Sequence, residues 1–174
     1  MPDARPESQP ESQPDRRSAS QRRRRPQHER QQRLAADLDR WERLLRLHRL
    51  AVREMDGHLR ATFGHPLDDY DVLHQVAIHD GPIRMGELAE RLVLAKSSCH
   101  RIVGRLVEAG HLERGGGRGD RREVLVSLTA TGRRLHRRMA AVHSRDIERH
   151  LGSLSDAGRA GLDRALGELD ASPG

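Results

Sequence analysis

The chain has 174 residues, a formal net charge of +6 and an aromatic content of 2%. That length supports one ordinary domain with its own core, not two. Trp41, Phe63 and Tyr70 are the full aromatic set, so the core has to be aliphatic. Cys99 is the single cysteine, which excludes an intrachain disulfide, and no apolar run reaches membrane-spanning length. The N-terminal segment lacks the apolar stretch of a secretory signal, so a cytoplasmic protein is expected. There is no nucleophile elbow, Walker sequence or HExxH, and the carboxylates are dispersed. Neither an enzyme nor a cofactor is expected.

The charge is unevenly spread. Residues 1–33 carry 9 basic and 5 acidic groups, residues 34–81 carry 6 and 9, residues 82–129 carry 9 and 6, and residues 130–174 carry 8 and 6. The positive excess sits mainly in the N-terminal segment and in 82–129, where a polyanion would be met.

Residues 1–33, with the phrase PESQPESQP and the run Arg22 to Arg25, can bury little apolar surface and are expected to be a disordered basic tail. The tail would be either a solvated segment or an arm lying along phosphates or in a minor groove. From Leu34 the pattern changes. Leu34, Leu38, Trp41, Leu45, His48, Val52, Met55, Leu59 and Phe63 alternate four and three apart, which predicts a long helix within 34–66. Leu44, Leu47 and Ala51 widen the apolar stripe. A helix apolar over more than one face needs cover from outside its own domain, and a second copy is the simplest source. His48 would either titrate at such an interface or be a half-exposed, hydrogen-bonded histidine.

Gly64, His65 and Pro66 end that helix. A second helix runs to about His79, capped by Asp68, with Tyr70, Leu73, Val76 and Ala77 inward. Ile83 to Met85 reads as a short strand, and Glu87 to Leu92 as a short helix burying Leu88, Ala89 and Leu92. The next helix, Lys96 to about Ala109, has Cys99, Ile102, Val103 and Leu106 on one face, with Gly110 closing it. Leu112–Arg114 and Val124–Leu128 pair as a hairpin around the loop GGGRGDRR, Gly115 to Arg122. No helix follows that loop, so it is not a phosphate cradle. Thr129 caps a long helix to about His150. A last helix from about Ser155 would turn Leu162, Ala165, Leu166 and Leu169 inward.

The order helix, helix, hairpin suits a DNA duplex. A helix-turn-helix presents its second helix to the major groove. Ser97, Ser98, His100, Arg101 and Arg105 lie off the apolar face of the 96–109 helix: short donors near its start, cations further along. Serine donates to phosphates or base edges, and arginine forks onto guanine. Arg118, Arg121 and Arg122 at the hairpin would reach a flanking minor groove.

Those segments carry a family resemblance. YDVLHQVAIHDGPIRMGELAERL (70–92), AKSSCHRIVGRLVEAGHLER (95–114) and GDRREVLVSLTATG (119–132) resemble MarR-family winged helix-turn-helix regulators, over about residues 34–170. The resemblance implies a mainly α (α+β) fold whose long N- and C-terminal helices form a homodimer. It implies a dimerisation helix at 34–66, a winged helix-turn-helix at 67–129, and C-terminal helices at 130–170 completing the dimerisation region. Asp120 and Arg122 match the family's Asp-x-Arg wing motif, which implies that Arg122 enters the minor groove and that Asp120 orients it. Ala95 departs from the pattern, standing where the family often has a capping serine, and Met85-Gly86 replaces the usual polar cap of the preceding helix.

Cys99 on the apolar face reads as a small buried hydrophobe in preference to a redox switch. His136, His143 and His150 are seven apart, about 10 Å along one helix, too far to chelate one ion unaided. His58, His65, His74 and His79 are the histidines that would have to help. The expected function is a sequence-specific regulator on a pseudo-palindromic operator in double-stranded DNA, with no membrane partner; the resemblance implies that it represses, and leaves open whether a small-molecule effector releases it. The alternatives are a non-specific nucleoid-type DNA binder, a metal-responsive regulator using its histidines, and a protein adaptor.

Overall fold

A computed structural model describes residues 16–116 and 124–171, with side chains from residue 28 onward. Six helices and three strands follow in order: α1 Arg16–Phe63, α2 Leu67–Ile78, β1 Ile83–Arg84, α3 Met85–Arg91, α4 Lys96–Glu108, β2 Leu112–Gly116, β3 Val124–Leu128, α5 Ala130–Leu151 and α6 Asp156–Asp170. No helix among the described residues is long and apolar enough to cross a membrane.

Contacts divide the chain into two units, Met1–His48 and Arg49–Gly174. The described part of the first is helix. It starts at Arg16, well inside the stretch expected to be disordered. Arg, Gln, Ala and Glu are good helix formers, and a shortage of apolar residues argues against a buried face, not against an exposed helix. Leu34, Leu38, Trp41, Leu44 and Leu47 each remain more than half exposed.

The second unit holds the core. Leu59 comes from α1, and Tyr70, Val72, Leu73 and Val76 from α2. Leu88 and Ala89 of α3 join Cys99, Ile102, Val103 and Leu106 of α4, Leu112 and Val126 of the sheet, and Met139 of α5. The sheet order is β1-β3-β2, all antiparallel, with Ile83 opposite Val126 and Leu112 opposite Leu128. Gly115 and Gly116, expected in the loop, pair with Leu125 and Val124. A glycine backbone can form ladder hydrogen bonds without a side chain to pack.

Some termini of the helices follow local chemistry and others do not. Thr129 and Ser155 cap α5 and α6 through their hydroxyls, which accept from Gly132 N and Gly158 N. Gly110 closes α4 at φ +71°, a conformation that suits glycine. Asp68 does not cap α2. Pro66 stands at that position, and the Leu67 amide donates instead to Asp56 Oδ1 at 2.9 Å. Asp56 also accepts from Arg60 at 2.6 Å. Burial alone would raise the Asp56 carboxyl, but Arg60 and the Leu67 amide hold it below its ordinary value.

Helix α6 has no buried residue: Leu162 is 39% exposed, Leu166 51% and Leu169 66%. The inward face expected for it is not buried against any of the described residues.

Candidate nucleic-acid interface

Helices α3 and α4 are joined by a tight turn in which Val93 takes φ 51° and stands almost fully exposed. The Leu94 amide returns to Ala89 O at 3.1 Å, which fixes the angle at which α4 leaves. Cys99, Ile102, Val103 and Leu106 are each 1% exposed or less, so one stripe of α4 is locked to the core. The Cys99 thiol faces the Met85 sulfur at 3.8 Å, and burial pushes its pKa up, away from the thiolate a redox switch needs.

The opposite face of α4 points outward. Ser97, His100 and Arg101 are exposed and Ser98 is half-buried. The cap residue is Ala95, which offers no side-chain acceptor, so the first amides of α4 have no side-chain cap and stay open to an anion. Arg105 differs from its neighbours. Its Nη2 donates to Asp69 Oδ1, while His65 Nδ1 donates to Asp69 Oδ2 at 2.8 Å. Asp69 is 1% exposed, whereas the Arg105 side chain is 41% exposed. The His111 ring stands edge-on to His65 at 5.2 Å. Arg60, His65, Asp68, Asp69, Arg101 and Arg105 surround a cavity of about 340 Å³ here.

Arg114 on β2, which sequence reasoning did not single out, crosses toward α4. A Cβ added at Gly104 would meet its guanidinium at 3.7 Å. The signal was a basic residue at the start of the hairpin, opposite a glycine on the helix. Arg118, Asp120, Arg121 and Arg122 lie outside the described residues.

The hairpin joins α5 through the Thr129 hydroxyl and through Arg133, whose Nη1 donates to Leu128 O at 2.8 Å. Thr129 Oγ1 donates to Gly110 O at 2.7 Å and accepts from Gly132 N at 2.9 Å.

The histidines do not assemble a metal centre. No group of three or more metal-ligating side chains converges among the described residues. Instead His74, His136 and His143 surround the Tyr70 ring, with centroids 5.6, 5.9 and 4.5 Å away. Burial pushes His136 and His143 below the ordinary imidazole value, with His74 adding to the effect in both. His58 donates to the buried Asp146 at 2.9 Å.

Known proteins share this fold. Residues 63–123 match the family model described as MarR family. No curated protein matches the chain. Among solved structures, AbsC, a MarR family transcriptional regulator from Streptomyces coelicolor, is 27% identical, with a TM-score of 0.70 over 75% of this chain and 88% of that one. Sco3205 from the same organism, a MarR family regulator in complex with DNA, is 23% identical over 75% and 82%, with a TM-score of 0.70. A mutant MarR from E. coli complexed with operator DNA is 22% identical over 74% and 91%, with a TM-score of 0.66. The family match falls on the end of α1, on β1, on α2, α3 and α4, and on β2, and stops before β3. Over residues 63–123 the chain matches the MarR family, and its fold is that of the MarR-family winged helix-turn-helix transcriptional regulators.

Proposed function

We propose that this regulator binds a pseudo-palindromic operator in double-stranded DNA as a homodimer and represses transcription in the cytoplasm. The observation that carries this reading is the division of α4. Four apolar residues hold one stripe to the core, while Ser97, Ser98, His100 and Arg101 face out beside uncapped amides. In this reading Ser97, Ser98, His100, Arg101 and Arg105 meet the major groove. Arg118, Arg121 and Arg122 meet the adjacent minor groove, with Asp120 orienting Arg122. The basic residues of 1–33 would add phosphate contacts.

The dimer is supported by apolar surface without cover: Leu34, Leu38, Trp41, Leu44 and Leu47 on α1, and Leu162, Leu166 and Leu169 on α6. Residues 34–66 and 130–170 would then be the dimerisation parts. Two such copies would set two α4 helices at a fixed spacing, which a two-fold operator mirrors. A small-molecule effector would fit the cavity lined by Arg60, Asp68, Asp69, Arg101 and Arg105, where Arg101 is the exposed cation.

The test is DNA affinity as a function of salt. Arg101→Ala and Arg122→Ala should each weaken binding and reduce the slope of log affinity against log salt by about 0.9 per lost phosphate contact, or relax base preference if the contact is to a base. The dimer should survive both. Wild-type affinity in both variants would reject the assignment, and binding that vanishes only on deletion of residues 1–33 would favour a non-specific binder.

A further inference from the structure

We propose that Asp69 is a positioning residue for DNA recognition: buried beneath α4, it ties Arg105 down and so decides which cations of that helix the DNA meets. The inference rests on α4 facing DNA.

Arg101 and Arg105 are four residues apart and therefore lie on one side of α4. Arg101 is exposed. An untethered arginine four residues on would have the same reach, and α4 would offer two mobile cations to any stretch of phosphates. Asp69 removes one of them. Its carboxylate sits on α2, flanked in sequence by the buried Tyr70 and close to the buried Val72 and Leu73, so it has little freedom to follow a moving guanidinium. Its two oxygens are divided between His65 and Arg105.

The pairing uses a single guanidinium nitrogen. Arg105 Nε is buried without a hydrogen-bond partner among the described residues, so the two-pronged fork usual for arginine and carboxylate is not formed. The side chain as a whole stays 41% exposed while one nitrogen is held by Asp69, so its charge keeps one place on α4. A fixed cation favours the one backbone or base position that fits it, whereas a mobile one favours every sequence alike. Asp69 thus converts a non-specific charge into a placed one without reaching the DNA.

The groups facing Asp69 come from three directions. His65 lies just before α2, Arg101 and Arg105 are on α4, and His111 follows α4 and meets Asp69 through the His65 ring. Arg60, at the end of α1, lines the same cavity but is engaged with Asp56.

The experiment compares wild type, Asp69→Asn, Arg105→Gln and the double variant. The probes are the duplex that the wild type enriches from a randomised library and a random-sequence duplex. Asp69→Asn should loosen Arg105. Affinity for the random duplex should rise, the salt slope should steepen by about 0.9, and discrimination should fall about tenfold. Arg105→Gln should lose discrimination to a similar degree without any steepening. The double variant should recover the folding stability lost in Arg105→Gln, because no buried charge is left unpaired, yet should keep poor discrimination. A folded Asp69→Asn with wild-type slope and discrimination overturns the proposal. If Asp69→Asn does not fold, Arg105→Gln decides: unchanged discrimination there overturns it. A double variant that recovers stability and discrimination together also overturns it, because the pair would then serve only the fold. Failure of the wild type to enrich any duplex would instead defeat the underlying DNA-binding reading, and the proposal with it.

Discussion

His74 Nδ1 lies 3.2 Å from His136 Nε2, joining α2 to α5 through two imidazoles that share one hydrogen. Only one of the two nitrogens can carry the proton, so the contact requires at least one neutral ring. The same cluster holds His143 against Tyr70, and burial lowers the pKa of both His136 and His143 from the ordinary 6.5. In the unfolded chain these groups accept protons as pH falls through 6.5, while in the folded chain they resist. The unfolded state then binds more protons, so stability is full above about pH 6.5 and is lost as pH falls toward the folded values. Urea unfolding midpoints from about pH 7.5 to about pH 5.5 should show this fall, and His136→Asn with His143→Asn should flatten it. Asp71 works in the opposite sense. Burial first, then Asp68, raises its carboxyl to about 6, so it regains stability as pH drops from there toward 3.8. An equally steep profile in the double histidine variant would show that the cluster is not the source.

Val93 carries a β-branched side chain at φ 51° with almost no contact to repay it. Such a conformation costs on the order of 1 kcal/mol or more in a bulky residue and almost nothing in glycine. Val93→Gly should therefore leave stability unchanged or raise it by up to about 1 kcal/mol, against the usual penalty for introducing glycine. A clear loss in chemical denaturation would show that the turn is not strained.

Gly132 is buried in the first turn of α5, and a Cβ there would collide with the His111 carbonyl. That carbonyl accepts from the Thr129 amide at 3.1 Å and cannot yield without opening the joint. Gly132→Ala should destabilise by about 3 kcal/mol, the scale of overpacking against fixed backbone. A thermal midpoint within a degree or two of wild type would mean that the backbone shifts freely.

Leu166 is half exposed between two other exposed leucines on α6. If this face is the dimer surface, Leu166→Glu should yield monomers in sedimentation experiments and weaken operator binding by at least about tenfold, with little change in helix content. A dimer of wild-type strength would place the interface elsewhere.

Local rules made much of this legible in the sequence. The 3.6-residue spacing of Cys99, Ile102, Val103 and Leu106 located the buried stripe of α4, and Thr129 and Gly110 marked helix ends by chemistry that needs only nearby residues. What escaped depends on pairs distant in the chain. Asp56 serves the start of α2 from eleven residues away, so Asp68 looked like the cap. Arg105 read as one more outward cation because Asp69 lies 36 residues earlier, on another helix. Asp68 and Asp69 are alike in sequence, yet one is exposed and the other is among the most buried residues of the unit. The apolar face of α6 was legible as a face, but periodicity gives a direction and not the identity of what covers it.

The hydroxyl of Thr129 makes the end of α4, the close of β3 and the first turn of α5 a single joint. A joint of that kind transmits rotation. If α5 turned about its own axis by a few degrees, the strands β2 and β3 would turn with it, because the Gly110 carbonyl and the Gly132 amide are held by the same oxygen. The long helix would act as a handle and the hairpin as the blade.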